Sequence, residues 1–200
     1  MPKRVDHQER RREIAEALFR IAAGQGLRAV TLRAVAAEAG ISMNLVQYYF
    51  PTKEEMLRFG WERVAELGGE RAGAGIAPAV ETGDERAVIR AYLHGVLPTD
   101  ERGRVLCAVQ IAYFAVDVTR GGQDPEQEDL VPHLVRALTE QIEKAQARQR
   151  IPAHLDAHLE ADALATMTAG LLTGMLIKTY DADRAAALID SRLDHLFTGD

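Results

Sequence analysis

Helix-ending residues recur at short intervals near the start of the chain. Gly24-Gln25-Gly26, Gly40 and Pro51 divide residues 1–60 into segments whose apolar residues fall at helical spacing rather than in alternation. Glycine just past a helix end and proline, which bars continuation, are typical helix stops. This part of the chain is therefore predicted to form one long helix and two short ones, followed by a fourth.

The two short helices are predicted to form a helix-turn-helix against the first. One runs from Thr31 to Ala39 and the other opens at Ser42, with a glycine-containing turn between them. Leu45 and Val46 give the second short helix an apolar back, which leaves its front to Met43, Asn44, Gln47 and Tyr48. A helix that reads base edges in the major groove needs such a polar and aromatic front.

A longer string around this motif resembles the N-terminal domain of the TetR family of bacterial regulators. The resemblance covers roughly residues 10–60, and its most specific part is Tyr-Tyr-Phe-Pro-Thr-Lys-Glu-Glu-Met-Leu at 48–57. It implies an all-α fold with an N-terminal three-helix helix-turn-helix DNA-binding domain. The larger C-terminal domain would be a helical bundle that binds a ligand and dimerises.

The resemblance also implies roles for individual residues at a DNA surface. Thr31 and Lys53 match phosphate-binding positions of the family, and Arg33 is placed to reach a base or a phosphate. Gln47 departs from the family, which often has tyrosine there, so the base preference stays open. Ser42 is a helix cap as well as a contact, and Tyr49 fits a core position as well as a DNA contact. The predicted DNA-binding residues are Thr31, Arg33, Ser42, Met43, Asn44, Gln47, Tyr48, Tyr49 and Lys53.

The rest of the chain is predicted to be helical too, with five helices between residues 84 and 197. Residues 68–83 are rich in Gly and Ala and contain Pro78, which is typical of a seam between two parts. We therefore predict a DNA-binding domain at 1–52 and an effector-binding and dimerisation domain at 53–200, linked by a helix at about 53–67.

Small residues recur every four positions from Ala157 to Ala169, a pattern that lets another helix approach closely. By the resemblance, the last two helices form the dimer. The alternative is that this stripe packs within one chain. The predicted dimer residues are Ala161, Ala165, Ala169, Leu188, Ile189, Leu193, Leu196 and Phe197.

A mixture of apolar, aromatic and sulfur-containing side chains indicates a pocket for a mostly apolar effector. An ordinary hydrophobic core has the same composition. Asp117 is either a counter-charge for a cationic ligand or an exposed residue near a helix end. The predicted pocket residues are Trp61, Tyr92, Leu106, Cys107, Gln110, Ile111, Tyr113, Phe114, Met167, Leu171 and Met175.

The net charge of −6 hides an asymmetry. Residues 1–60 carry ten Lys and Arg against seven Asp and Glu, a surplus of +3, whereas residues 61–200 carry fourteen against twenty-three, a deficit of −9. A basic N-terminal segment followed by an acidic remainder favours a single DNA-binding domain at the N-terminus.

Other classes of protein are disfavoured. The chain has no phosphate-binding or nucleophile motif, so we expect no enzyme, no catalytic residues and no cofactor. Cys107 is the single cysteine, and only His154 and His158 share a helical spacing, so no metal site is expected. An adaptor that kept the fold and lost DNA binding is disfavoured by Thr31 and Lys53.

No apolar run is long enough for a membrane span and residues 1–12 do not resemble a secretory signal, so a cytoplasmic protein with no membrane partner is expected. We predict a ligand-responsive repressor that binds a palindromic double-stranded operator as a homodimer. A small effector, of a kind that the sequence does not specify, would release it.

Overall fold

The computed structural model describes residues 7–122 and 130–198, and within these ranges the chain forms helices and no strand. The all-α prediction is confirmed. A 3-10 turn at Leu27–Ala29 follows the first helix. The helices are α1 (His7–Gln25), α2 (Leu32–Ala39), α3 (Met43–Tyr49), α4 (Lys53–Glu81), α5 (Glu85–Gly95), α6 (Glu101–Arg120), α7 (Leu130–Ala147), α8 (Ala157–Leu176) and α9 (Ala182–Thr198).

The first compact unit comprises Met1–Leu67 and Arg104–Glu128, and so contains α1 to α3, the first half of α4 and most of α6. The apolar stripe of α1 is its centre, because Ile14 and Leu18 are fully buried. Val35 of α2 and Val46 of α3 are also fully buried. Removing each such side chain from water contributes about 1.5–3 kcal/mol, which holds the two short helices on the long one.

The second compact unit comprises Gly68–Gly103 and Asp129–Asp200, in which α5 packs on α7 and α9, and α7 packs on α8. Its core includes the fully buried Leu138, Leu164 and Ile189. The buried carboxylate of Glu85 forms ion pairs with Arg148 and Arg150, and it accepts a hydrogen bond of 3.0 Å from Arg150. A buried charge paired in this way avoids the desolvation penalty that an unpaired one would incur.

The linking helix is longer than predicted, because α4 continues without a break through residues 68–81. Pro78 lies inside its last turns, where a missing N–H costs little because the carbonyl it leaves free, on exposed Ala74, can bond to water. Ala72 is one small residue of this stretch that serves packing, since a Cβ at Gly95 would lie 3.0 Å from Ala72 Cα. The pair of Ala72 and Gly95 therefore allows a close approach of α5 to α4.

The boundary between the two compact units falls at residues 67 and 68, inside α4. Compact units follow the density of contacts, whereas the predicted domains at 1–52 and 53–200 follow function. The predicted domain boundaries stay a prediction.

Candidate nucleic-acid interface and effector site

The turn between α2 and α3 is fixed by hydrogen bonds that its own residues make. The hydroxyl of Thr31 accepts a bond of 3.0 Å from the Ala34 N–H, which caps α2. Gly40 ends α2 in the left-handed conformation, with φ of 66°, and the Ile41 N–H returns to the Ala36 carbonyl at 3.0 Å. Ser42 caps α3 by accepting from the Leu45 N–H at 3.2 Å. These local bonds hold α3 at a set angle to α2.

The outer face of α3 is open to solvent. Met43 is 42% exposed and Tyr48 is 70% exposed, and Asn44 and Gln47 are exposed between them. Val46, on the opposite face, is fully buried. A polar and aromatic surface on a rigid, capped helix is the arrangement that reads base edges in the major groove.

The remaining predicted DNA-binding residues lie before α3, at its end or after it in the sequence, and they differ in how far they are exposed. Thr31, Arg33 and Ser42 are exposed, while Tyr49 and Lys53 are half-buried. Lys53 is the first residue of α4, whose N-terminus is capped by a bond of 3.1 Å from the Glu55 N–H to the Thr52 hydroxyl. The Thr31 and Ser42 oxygens accept the capping bonds, so both hydroxyl protons stay available to donate to a phosphate.

His7 belongs to this surface and was not predicted from the sequence. Its ring centroid lies 4.7 Å from that of Tyr49 and 6.2 Å from that of Tyr48, and the two tyrosine rings are 5.1 Å apart. His7 precedes Tyr48 and Tyr49 by about forty residues, so no local sequence pattern links it to them. The contact depends on how the start of α1 crosses the end of α3.

Phe50, which follows α3, lies in the core and is not placed to contact DNA. It is fully buried, and its ring lies 5.4 Å from that of Phe59. The Arg11 guanidinium lies 4.8 Å from the Phe50 centroid and 4.2 Å from that of Phe59. This cation–π contact fastens α1 to the residues on both sides of the α3–α4 corner.

Three of the predicted pocket residues form an aromatic cluster between α4 and α6. The Trp61 ring lies 5.2 Å from Tyr113 and 5.9 Å from Phe114. The Tyr113 hydroxyl donates a bond of 2.7 Å to the Leu57 carbonyl of α4. Burial raises the pKa of Tyr113 well above its usual range, so the phenol stays protonated and keeps donating.

Two polar groups lie buried near this cluster. Asp117 is 8% exposed, and it follows Tyr113 and Phe114 by four and three residues, which places it on the same face of α6. The alternative of an exposed Asp117 is therefore wrong. Within the described part of the chain, the buried indole N–H of Trp61 has no hydrogen-bond partner.

The other predicted pocket residues are distributed over both units. In the first unit, Leu106 and Cys107 are buried and Gln110 and Ile111 are half-buried. In the second unit, Leu171 and Met175 are buried, and Tyr92 and Met167 are half-buried. The structure brings together Trp61, Tyr113 and Phe114, and the predicted pocket itself stays a prediction.

The predicted dimer residues divide by exposure. Most of them are buried within the chain itself: Ala161, Ala165, Ile189, Leu193 and Leu196. Leu188 and Phe197 are half-buried, and Ala169 is exposed. The exposed face of α8 instead carries Leu159, Ala163, Thr166, Gly170 and Thr173. A partner helix would meet that face, so any dimer on α8 depends on these residues more than on the buried ones.

Neither a metal cluster nor a membrane helix is found in the ranges 7–122 and 130–198. No group of three or more His, Cys, Asp and Glu side chains there is placed to hold a metal ion, and both His154 and His158 are exposed. None of the helices in these ranges has the length and apolar character needed to cross a bilayer.

Two family models match the chain. Residues 14–58 match the family described as bacterial regulatory proteins, tetR family, and residues 85–198 match the C-terminal domain described as that of BetI-type transcriptional repressors. The first match contains most of the described DNA surface, from α2 to the start of α4. The second covers more than half of the chain, in α5 to α9.

One curated relative is the HTH-type transcriptional regulator PksA of Bacillus subtilis (strain 168), which is 41% identical over 66 residues. Those residues are 33% of this chain and 32% of PksA, so the match spans about a third of that protein. It supports DNA binding by the helix-turn-helix.

Solved structures of similar fold cover nearly the whole chain. A transcriptional regulator from Saccharomonospora viridis in complex with choline has a TM-score of 0.80 at 23% identity, over 94% of this chain and 97% of that one. A TetR-family regulator from Rhodococcus sp. has a TM-score of 0.77 at 21% identity, over 95% and 99%. At these identities the likeness is evidence for the fold.

The matched families are transcriptional regulators and not enzymes. A capped helix-turn-helix with an exposed polar face on α3 is the DNA-binding part of such a regulator. The chain belongs to the TetR family of bacterial regulatory proteins.

Proposed function

We propose that this regulator is a cytoplasmic repressor that binds a palindromic operator as a homodimer and is released by a small effector. The observation that carries the proposal is the exposure of Asn44, Gln47 and Tyr48 on a helix whose frame is capped at Thr31 and Ser42. A repressor needs a rigid helix, here α3, that contacts the bases. Its effector has to move that helix out of register with the operator.

The reading face divides by chemistry into residues that specify bases and residues that hold the backbone. Asn44 and Gln47 can each pair bidentately with adenine, and the Met43 side chain suits a thymine methyl. Arg33 can reach a base or a phosphate. The phosphate anchors, which position the protein without reading sequence, are Thr31, Ser42, Tyr48, Tyr49 and Lys53.

A reporter assay in bacterial cells tests repression. A duplex operator is first recovered from a random pool by repeated selection with the purified protein, and is then placed between a promoter and a reporter gene. We expect production of the regulator to lower reporter output, and Asn44→Ala with Gln47→Ala to restore it. An activator would raise the output, and that outcome would contradict the repressor assignment.

The effector that the aromatic cluster fits best is an organic cation in a mostly apolar body. The faces of Trp61, Tyr113 and Phe114 carry negative electrostatic potential, and quaternary ammonium groups bind such faces. A carboxylate as buried as that of Asp117 supplies the opposite charge. The Trp61 indole N–H suits an oxygen atom on the same ligand. The choline in the Saccharomonospora viridis regulator has this combination of groups and supports the proposal.

Such a ligand would act on DNA binding through α4. Leu57, Gly60 and Trp61 lie on α4, and the Tyr113 hydroxyl ties the Leu57 carbonyl to α6. A ligand among these rings would push α4, whose first residue is the predicted phosphate anchor Lys53. In a dimer, that movement would change the spacing of the two α3 helices, so that one half-site loses its contacts.

Binding of choline and of its uncharged carbon analogue, 3,3-dimethylbutan-1-ol, separates a cation site from a plain apolar one. The two ligands share shape and hydroxyl group and differ in charge. We expect choline to bind at least tenfold more tightly by calorimetry, and Asp117→Asn to remove the difference. Equal binding of both ligands to the unaltered protein would show that the site does not recognise charge.

A crosslink tests the spacing mechanism. Two cysteines, one in each DNA-binding domain of the dimer, would be joined by a linker that holds the DNA-bound separation. We expect the crosslinked dimer to stay on operator DNA when effector is added. Release from DNA with the crosslink intact would contradict the mechanism.

A further inference from the structure

His7, Tyr48 and Tyr49 form a cluster of three rings at the edge of the DNA surface. Each ring contacts the other two, with centroids 4.7 to 6.2 Å apart. His7 is the first residue of α1, whereas the tyrosines end α3. The cluster therefore joins the start of one helix to the end of the helix that faces DNA.

The cluster is at the surface rather than in the core. His7 is exposed, Tyr48 is 70% exposed and Tyr49 is half-buried. An exposed tyrosine with no neighbour samples several rotamers, and DNA binding would have to select one of them at an entropic cost. Contact with His7 restricts those rotamers before DNA arrives.

We propose that His7 is a positioning residue for operator binding, which acts by holding the Tyr48 phenol in the direction of a phosphate. The role depends on the shape of the ring and not on its charge, since the contacts are those of three ring faces and edges. The inference rests on the proposed function, because it assigns His7 to the same operator complex.

The size of the effect follows from the contact. One aromatic pair corresponds to about threefold to tenfold in an equilibrium constant. We therefore expect His7→Ala to weaken operator binding by about threefold to tenfold. Its unfolding temperature should match that of the unaltered protein, because an exposed ring contributes little to the core.

Fluorescence anisotropy with the selected operator duplex provides the test. His7→Phe keeps a ring and should bind within twofold of the unaltered protein. His154→Ala removes a histidine that is exposed in the second unit, and should also leave binding unchanged. Failure of phenylalanine to rescue would contradict a role for ring packing.

A double-mutant cycle tests whether His7 affects operator affinity through Tyr48. In a Tyr48→Ala background, His7→Ala should have almost no further effect on operator affinity, because the residue that it positions is gone. An equal loss with and without Tyr48 would overturn the proposal, since His7 would then act independently. Failure of the unaltered protein to select any operator would instead overturn the proposed function, and with it the role of His7 in operator binding.

Discussion

Thr31 combines two tasks in one hydroxyl group. Its oxygen accepts the capping bond from the Ala34 N–H at 3.0 Å, and its proton is left to donate to a phosphate. The same division applies to Ser42 at the start of α3. A small hydroxyl residue at each helix start thus serves the fold and the DNA contact, and substitutions can separate the two.

Thr31→Asp should keep the fold and lose DNA binding. Aspartate is as good a cap as threonine, so the unfolding temperature should change by no more than a few degrees. Its negative charge would repel the phosphate, and operator affinity should fall at least tenfold in a mobility-shift assay. Thr31→Ser, the control, should retain both properties. Normal affinity in Thr31→Asp would mean that no phosphate lies there.

Gly60 and Gly73 both lie within α4 and differ in surroundings. A Cβ at Gly60 would lie 2.7 Å from the Tyr113 hydroxyl oxygen and 3.1 Å from Leu18 Cδ1, whereas one at Gly73 would meet nothing within 4 Å. Glycine at position 60 therefore allows α4 to approach α1 and α6. At position 73 it lowers helix stability without an evident packing role.

Alanine substitutions should reveal this difference in chemical denaturation. Gly73→Ala should stabilise by about 0.5–1 kcal/mol, because alanine loses less backbone entropy in a helix. Gly60→Ala should destabilise by about 1–3 kcal/mol, because Tyr113 has to move from the Leu57 carbonyl. Equal and favourable effects at both positions would contradict the tight packing at Gly60.

The ion pair between α5 and α9 should make stability depend on pH. Asp190 receives two hydrogen bonds from Arg90, at 2.5 and 3.0 Å, and this pairing lowers the pKa of Asp190 below its usual range. A carboxylate with a lowered folded-state pKa stabilises above its unfolded pKa of about 4. Its contribution disappears as the pH falls through the lower, folded value.

Asp190→Asn should therefore lower stability at pH 7 and have little effect near pH 2. The loss should be below about 1 kcal/mol, since both side chains are about a third or more exposed and solvent screens the pair. Thermal unfolding at a series of pH values measures it. In an Arg90→Gln background the same substitution should cost much less; an undiminished cost there would show that Arg90 is not the cause.

At the scale of the whole molecule, we expect a dimer to use the exposed face of α8 more than the buried residues that the sequence predicted. Gly170 is exposed and a Cβ there would meet nothing within 4 Å of its own chain, and the same is true of Gly69 on α4. Leu159, at 65% exposed, lies on the same α8 face. An arginine fits both glycine positions within one chain, and it would obstruct a partner only where one approaches.

Sedimentation equilibrium should find Gly170→Arg monomeric or strongly shifted towards monomer, and Gly69→Arg as dimeric as the unaltered protein. Circular dichroism should show the same helix content for both variants. A dimeric Gly170→Arg would place the interface elsewhere than on this face of α8.

Local chemistry made the helix-turn-helix predictable. Thr31, Gly40 and Ser42 act through bonds to residues three to five positions away, so their pattern in sequence specifies the turn. The length of α4 was mispredicted because glycine and proline disfavour a helix by propensity, whereas in this chain α4 continues through residues 68–81 with Pro78 inside it. The burial of Asp117 and the contact of His7 with Tyr49 depend on packing between distant segments, which composition and periodicity do not encode.

The central claim is that α3 reads operator DNA through Asn44 and Gln47. Sequencing the duplexes selected from a random pool by the unaltered protein, and by the variant with both residues changed to alanine, tests it directly. We predict two inverted half-sites for the unaltered protein, and a symmetric loss of base preference within each half-site for the variant, with the phosphate-dependent salt sensitivity retained. Identical base preferences in both selections, or no enriched sequence with the unaltered protein, would contradict the account.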